Sequence, residues 1–132
     1  MNCSFEADLG LDEWADRLLI PLEGGRLPIS GSIELNERCN LSCVHCYIRK
    51  DAGDLCAKSN ELGLEQWKSI IDQIADEGCL FLLLTGGEPL LHPDFIEIFK
   101  HARQRGMLVS LFSNATMISP EIADILAEYN LQ

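Results

Sequence analysis

A parallel α/β fold is what three features of the sequence predict. Runs of strand character alternate with stretches of helical spacing in the order β-α-β-α-β-α, the connections between strands are too long for hairpins, and glycines follow the helical stretches as stop signals. Strands joined in this way run parallel through right-handed crossovers. In such sheets the loops at the carboxyl ends of the strands gather at one rim, where ligands bind.

The elements follow in order. Residues 1–28 read as an amino-terminal extension and 29–132 as the α/β core. Within the extension Leu11 to Ile20 forms a short amphipathic helical pattern, which Pro21, Gly24, Gly25 and Pro28 then break. From Ile29 the chain alternates: Ile33 and Leu35 share one face of a strand, while Ser32, Glu34 and Asn36 share the other. After a cysteine-rich loop, Leu64, Trp67, Ile70, Ile71 and Ile74 repeat at helical spacing, so Trp67 is expected in the core, and Gly78 ends the helix. Cys79 to Thr85 is a short apolar run, predicted to be a strand covered on both faces, with Cys79 a small core residue. His92-Pro93 is expected to open the next helix, with proline in its first turn and Phe95, Ile98, Phe99 and Ala102 as its apolar stripe. Met107 to Phe112 is predicted to be a third buried strand. Ser119-Pro120 caps a third helix carrying Ile122, Leu126 and Tyr129.

Composition narrows the class. The chain has 132 residues, the length of one domain, and 47% of them are hydrophobic, which argues against disorder. Its longest unbroken apolar stretch, Cys79 to Leu84, is far below the roughly 20 residues a membrane helix needs. No membrane is therefore expected as a partner, and the formal net charge of −11, which repels phosphate backbones, makes nucleic acid an unexpected one. With no basic-then-apolar segment at the amino terminus, the sequence reads as a cytoplasmic protein.

Six cysteines, at positions 3, 39, 43, 46, 56 and 79, are many for a reducing compartment. Cys39, Cys43 and Cys46 fall within eight residues as C-x3-C-x2-C, a spacing that suits ligands better than staples. Three thiolates leave one corner of a metal centre open to a small molecule. Cys56, or His45, could instead complete a four-ligand zinc site. The two later strands end in Gly86-Gly87-Glu88-Pro89 and in Ser113-Asn114, so polar residues converge on the rim.

These residues resemble a known family. Cys39-x3-Cys43-x2-Cys46 after a first strand, followed by Leu84-Thr85-Gly86-Gly87-Glu88-Pro89 after the second, is similar to the radical S-adenosylmethionine (radical SAM) superfamily. Ser30 to Leu35 leading in, Cys46-Tyr47 leading out and Leu90 to Phe95 make it most like members with a carboxy-terminal SPASM domain, many of which modify peptides or proteins. The resemblance implies that Cys39, Cys43 and Cys46 hold a 4Fe–4S cluster whose open iron binds S-adenosylmethionine. It implies that Gly86, Gly87, Glu88 and Pro89 meet the methionine amino group, and that His45 and Tyr47 lie beside the adenine. Ser113 and Asn114 are further candidate cofactor contacts. The implied chemistry is reductive cleavage to a 5′-deoxyadenosyl radical, which abstracts hydrogen from a peptide or protein, with flavodoxin or ferredoxin as the electron donor.

Family members close a partial (β/α)6 barrel, and this chain supplies three βα units, resembling its first half. The expectation is a fragment or half-barrel whose open strand edge associates with itself or with the missing carboxy-terminal half. Glu34 and Asn36 would then face the barrel lumen near substrate. The competing expectation, from a different class, is a non-catalytic zinc- or cluster-binding module that pairs with a partner chain. Remaining residues take ordinary roles: Cys3 as an incidental thiol, Cys56 as a surface thiol, His92 as a helix starter and His101 as a solvated side chain. Arg38, Arg49 and Lys50 are solvated charges or balance an anionic centre.

Overall fold

A computed structural model describes residues 28–48 and 50–131. The helix expected over Leu11 to Ile20, Cys3 and Arg49 lie outside the described residues.

Three strands form the main sheet: β1 (Ser30–Glu34), β4 (Phe81–Thr85) and β5 (Leu108–Leu111), in the spatial order β1-β4-β5 and all parallel. Two short strands, β2 (Arg38–Cys39) and β3 (Lys50–Asp51), pair in parallel beyond the end of β1. The helices are α1 (Leu55–Ser59), α2 (Leu64–Asp76), α3 (Phe95–Gln104) and α4 (Pro120–Glu128). The expected β-α-β-α-β-α order is therefore present, with β2, β3 and α1 inserted between the first strand and the first long helix. None of these insertions exceeds five residues, too few for a periodic signal to register.

Register explains which side chains enter the core. Ile33, Leu84 and Leu111 share one row across the sheet, and Gly31, Leu82 and Val109 share another. This face packs against Trp67 and Ile71 of α2, Phe95, Ile98, Phe99 and Ala102 of α3, and Leu126 of α4, all buried. Trp67 thus takes its expected core place, and Cys79 is buried in the same core.

The opposite face corrects one expectation. The second strand is not covered on both sides among the described residues: Phe81 is exposed, and Leu83 and Thr85 are only partly buried. On the third strand, Phe112 lies past the end of β5 and is 67% exposed. The cause is the winding. Each right-handed crossover advances in the same direction along the sheet, which places α2 and α3 on one side and leaves the row Ser32–Leu83–Ser110 facing outward. A cavity of about 460 Å³ lies beside the cysteine loop and one of about 450 Å³ lies on this open face.

The start of α3 also differs from the expectation. The helix begins at Phe95 with Asp94 at its N-cap, while Pro89–Leu91 forms a separate 3₁₀ turn and Pro93 precedes the helix. His92 sets this geometry. It is buried, its Nδ1 accepts from the Asp94 amide (3.2 Å), and its Nε2 then carries the proton and donates to Leu62 O (2.9 Å). His101 is half-buried rather than solvated, with Nε2 2.8 Å from Asp72 Oδ1 on α2.

Candidate functional site

The site is assembled where the parallel strands end. The ladder between β1 and β4 continues past both strands: Leu35 N donates to Thr85 O (2.9 Å), Gly87 N to Asn36 O (2.9 Å) and Glu88 N to Arg38 O (2.8 Å). The loop after β4 is therefore seated on the backbone of residues 36–38. An ideal Cβ on Gly86 would lie 2.5 Å from Asn36 O, and one on Gly87 would lie 2.3 Å from Arg38 O. Both glycines are required by this approach of one backbone to another, before any ligand is considered.

Glu88 is fully buried at the centre of the rim. Its carboxylate accepts from Ser113 Oγ (2.8 Å), the Asn114 amide (2.9 Å) and the Leu90 amide (3.1 Å). Its carbonyl accepts from Asn36 Nδ2 (3.0 Å). One residue thus ties together the ends of β1, β4 and β5. Pro89 is buried behind it. Asn36 turns inward to this loop, while Glu34 is exposed and accepts from the Tyr47 hydroxyl (2.7 Å). That bond is the main reason the Tyr47 hydroxyl is held above its ordinary range.

The cysteine loop is closed at its base by the β2–β3 pair, which brackets residues 40–49. Cys39 and Cys46 are half-buried and Cys43 is exposed. The Cys46 amide donates to Cys43 O (3.2 Å), the Leu41 amide approaches Cys39 Sγ (3.4 Å), and the Cys46 thiol donates to Ile48 O (2.8 Å). The adjoining cavity of about 460 Å³ is lined by Cys43 and Cys46 together with Leu41, Val44, Ile48 and Lys50. Among the described residues, no three His, Cys, Asp or Glu side chains stand together at metal-binding distance. The donor set nevertheless suits a soft metal centre: three sulfurs on one solvent-reachable loop, with N–H groups already directed at one of them. His45 is exposed on the same loop, and Cys56 is exposed on α1.

Arg38, immediately before the first cysteine, is not a solvated charge. It is 5% exposed, and its guanidinium clasps Glu61 through Nε (2.6 Å) and Nη2 (3.1 Å). It also donates to Ala52 O (2.7 Å) and Leu91 O (3.3 Å), joining the base of the cysteine loop to the turn after Pro89. Glu61 is the leading cause that raises the arginine further above its already high range. Sequence reading missed this pairing because the two residues are 23 apart, and no local pattern links them.

Asn114 is placed at the cysteine loop. Its Nδ2 lies 3.7 Å from Cys39 Sγ and donates to Asn40 Oδ1 (2.8 Å), while Asn40 Nδ2 donates to Thr116 Oγ1 (2.8 Å). Neither Asn40 nor Thr116 was singled out by the sequence, although Asn114-Ala115-Thr116 has turn chemistry that could have marked it.

Fold and site together define a class: a parallel α/β protein that carries three cysteines on one loop at the carboxyl rim, braced by a buried glutamate. Residues 33–132 match the model of the radical SAM superfamily, and the chain belongs to that family of enzymes, which typically use a 4Fe–4S cluster and S-adenosylmethionine. It is 40% identical over 97 residues to Fe-coproporphyrin III synthase of Methanosarcina barkeri (strain Fusaro / DSM 804), covering 74% of this chain and 24% of that protein. It is 36% identical over 112 residues to the mycofactocin maturase MftC of Mycobacterium tuberculosis (strain ATCC 25618 / H37Rv), covering 84% and 28% respectively. Among solved structures, Streptococcus suis SuiB bound to S-adenosylmethionine shares the fold, with a TM-score of 0.68 and 23% identity over 88% of this chain and 27% of that one. SuiB bound to the precursor peptide SuiA superposes with a TM-score of 0.67 and 20% identity, over 97% of this chain and 30% of that one. The chain spans about a quarter of the length of the curated relatives it matches. Among the described residues no helix is long and apolar enough to cross a membrane.

Proposed function

We propose that this chain is the cluster- and cofactor-binding portion of a radical SAM enzyme that acts on a peptide or protein. One observation carries the reading: the loop bearing Cys39, Cys43 and Cys46 stands at the carboxyl rim, directly beside the backbone loops that Glu88 joins. The three cysteines would hold a 4Fe–4S cluster, which when bound supplies the electron that cleaves S-adenosylmethionine to methionine and a 5′-deoxyadenosyl radical. This chain's own residues arrange the ligands. Gly86 and Gly87 present backbone at the rim, while Glu88 and Pro89, both buried, hold that backbone in place. His45 and Tyr47 offer ring surface next to the cysteines, and Ser113 and Asn114 close the far side. Flavodoxin or ferredoxin fits as the electron source.

A peptide substrate is supported by the relatives named PqqA peptide cyclase and by the SuiB structure with a bound precursor peptide, while the relatives named Fe-coproporphyrin III synthase and AdoMet-dependent heme synthase supply the contrasting class. Anaerobic reconstitution tests the cluster. Four irons per chain, with a reduced-state paramagnetic resonance spectrum that changes on adding S-adenosylmethionine, is the expected result. One zinc per chain would overturn it. Cys56→Ala should leave the iron content unchanged, whereas a four-ligand zinc site through Cys56 would lose its metal. Fluorescence titration with precursor-type peptides and with a porphyrin separates the substrate classes, and binding of the porphyrin alone would refute the peptide reading.

A further inference from the structure

We infer that Asn114 is a positioning residue whose side-chain amide donates to the Cys39 sulfur and thereby raises the electron affinity of the centre that this thiolate holds. The inference rests on the cluster reading above and adds to it a determinant of the reduction potential.

The orientation of the amide is over-determined. Asn114 Oδ1 accepts from the Thr116 amide (3.0 Å) and from Thr116 Oγ1 (2.6 Å), so the nitrogen end must point the other way. That end meets Asn40 Oδ1 at 2.8 Å and Cys39 Sγ at 3.7 Å. Exchanging the two ends would put Oδ1 against Asn40 Oδ1 and Nδ2 against the Thr116 amide, losing these bonds. The backbone is held as firmly, because the Asn114 amide donates to Glu88 Oε2 at 2.9 Å and the neighbouring Ser113 hydroxyl donates to Glu88 Oε1. A residue from the loop after β5 is thus fixed, through the buried Glu88, against a sulfur 75 positions earlier in the sequence.

The three cysteines are not equivalent in this respect. Cys39 Sγ receives two N–H groups, from Leu41 and Asn114, whereas Cys46 Sγ donates to the Ile48 carbonyl. Cys39 is therefore already surrounded as an anion acceptor. A donor to a ligating sulfur stabilises negative charge there, and the reduced centre carries one electron more than the oxidised one, so the bond favours reduction. A contact to S-adenosylmethionine alone would not require the nitrogen to face the sulfur.

The test is a redox titration of the anaerobically reconstituted chain, followed by paramagnetic resonance, for wild type, Asn114→Ala, Asn114→Asp and Asn40→Ala. Asn114→Ala should make reduction harder by up to about tenfold, equivalent to about 59 mV for one electron, at unchanged iron content. Asn114→Asp keeps the shape, exchanges the donor for an acceptor, and should shift the potential further in the same direction. Asn40→Ala removes the bond between the loops but leaves the sulfur contact, and should shift it less than Asn114→Ala. Equal potentials in wild type and both Asn114 variants, each with four irons, would overturn the inference and leave the cluster reading standing. A wild-type chain that takes up no iron–sulfur cluster would overturn both.

Discussion

Replacing Gly87 with alanine should detach the loop after β4 from the end of β1. The new Cβ would lie 2.3 Å from Arg38 O, 2.6 Å from Arg38 C and 2.8 Å from Glu37 O. All three are backbone atoms, so no side-chain rotation relieves the overlap. Restoring ordinary van der Waals separation requires the loop to withdraw by roughly 1 Å. That movement stretches the Gly87 N–Asn36 O and Glu88 N–Arg38 O bonds, now 2.9 and 2.8 Å, beyond hydrogen-bonding range. Leaving such groups unsatisfied in a packed region costs about 1–3 kcal/mol each, so the total is about 4 kcal/mol. Typical domains have only about 5–15 kcal/mol of stability to lose. With a urea slope of about 2 kcal/mol/M, the midpoint should fall by about 2 M. Gly106→Ala is the matched control: its φ of +85° is unfavourable for alanine, but nothing lies within 4 Å of the new Cβ. It should cost only the conformational penalty of about 1–2 kcal/mol. Far-ultraviolet circular dichroism across a urea series reads both. A Gly87→Ala chain that unfolds no earlier than the Gly106→Ala chain would refute the steric account.

Further outcomes follow from the same contacts. Arg38→Met should destabilise the chain by about 3–5 kcal/mol by stranding the buried Glu61 carboxylate, and adding Glu61→Gln should recover part of the loss in a thermal-unfolding cycle. In a spectrophotometric titration Tyr47 should ionise above the usual tyrosine range, and Glu34→Gln should bring it back toward that range. Asp54 caps α1 by accepting from the Ala57 amide, which lowers its carboxyl below the ordinary value. Its stabilisation is complete above the unfolded value of about 3.9 and is lost as the pH falls through the lower folded value. The stability difference between wild type and Asp54→Asn should therefore shrink on acidification below about pH 4, and a difference independent of pH would contradict the cap.

Much of the scaffold was legible because it is written in short-range periodicity. Ile33 with Leu35, the stripe from Leu64 to Ile74 and the run ending at Thr85 each declare their geometry within a few residues, as do the cysteine spacing and the Gly86–Pro89 motif. Ligand type and rim location are local properties too, since the loop after a parallel strand lies at the rim whatever the rest of the chain does.

What tertiary structure alone decided are the partnerships across long stretches of chain. Glu88 reads in the sequence as a charge offered to a ligand. In the fold its carboxylate is buried under donors from Leu90, Ser113 and Asn114, because parallel crossovers bring the ends of β4 and β5 side by side. Arg38 reads as a solvated charge or as balance for an anionic centre and proves to be a buried clasp on Glu61; Asn114 reads as a candidate cofactor contact and faces the Cys39 sulfur. The open row Ser32–Leu83–Ser110 was equally hidden, since an apolar run does not reveal on which side the helices will wind. Sequence determined which chemical groups reach the rim of this protein. Only the fold determined which of them face one another, because hydrogen bonds between residues 23 to 75 positions apart depend on crossover handedness and register, which no local pattern encodes.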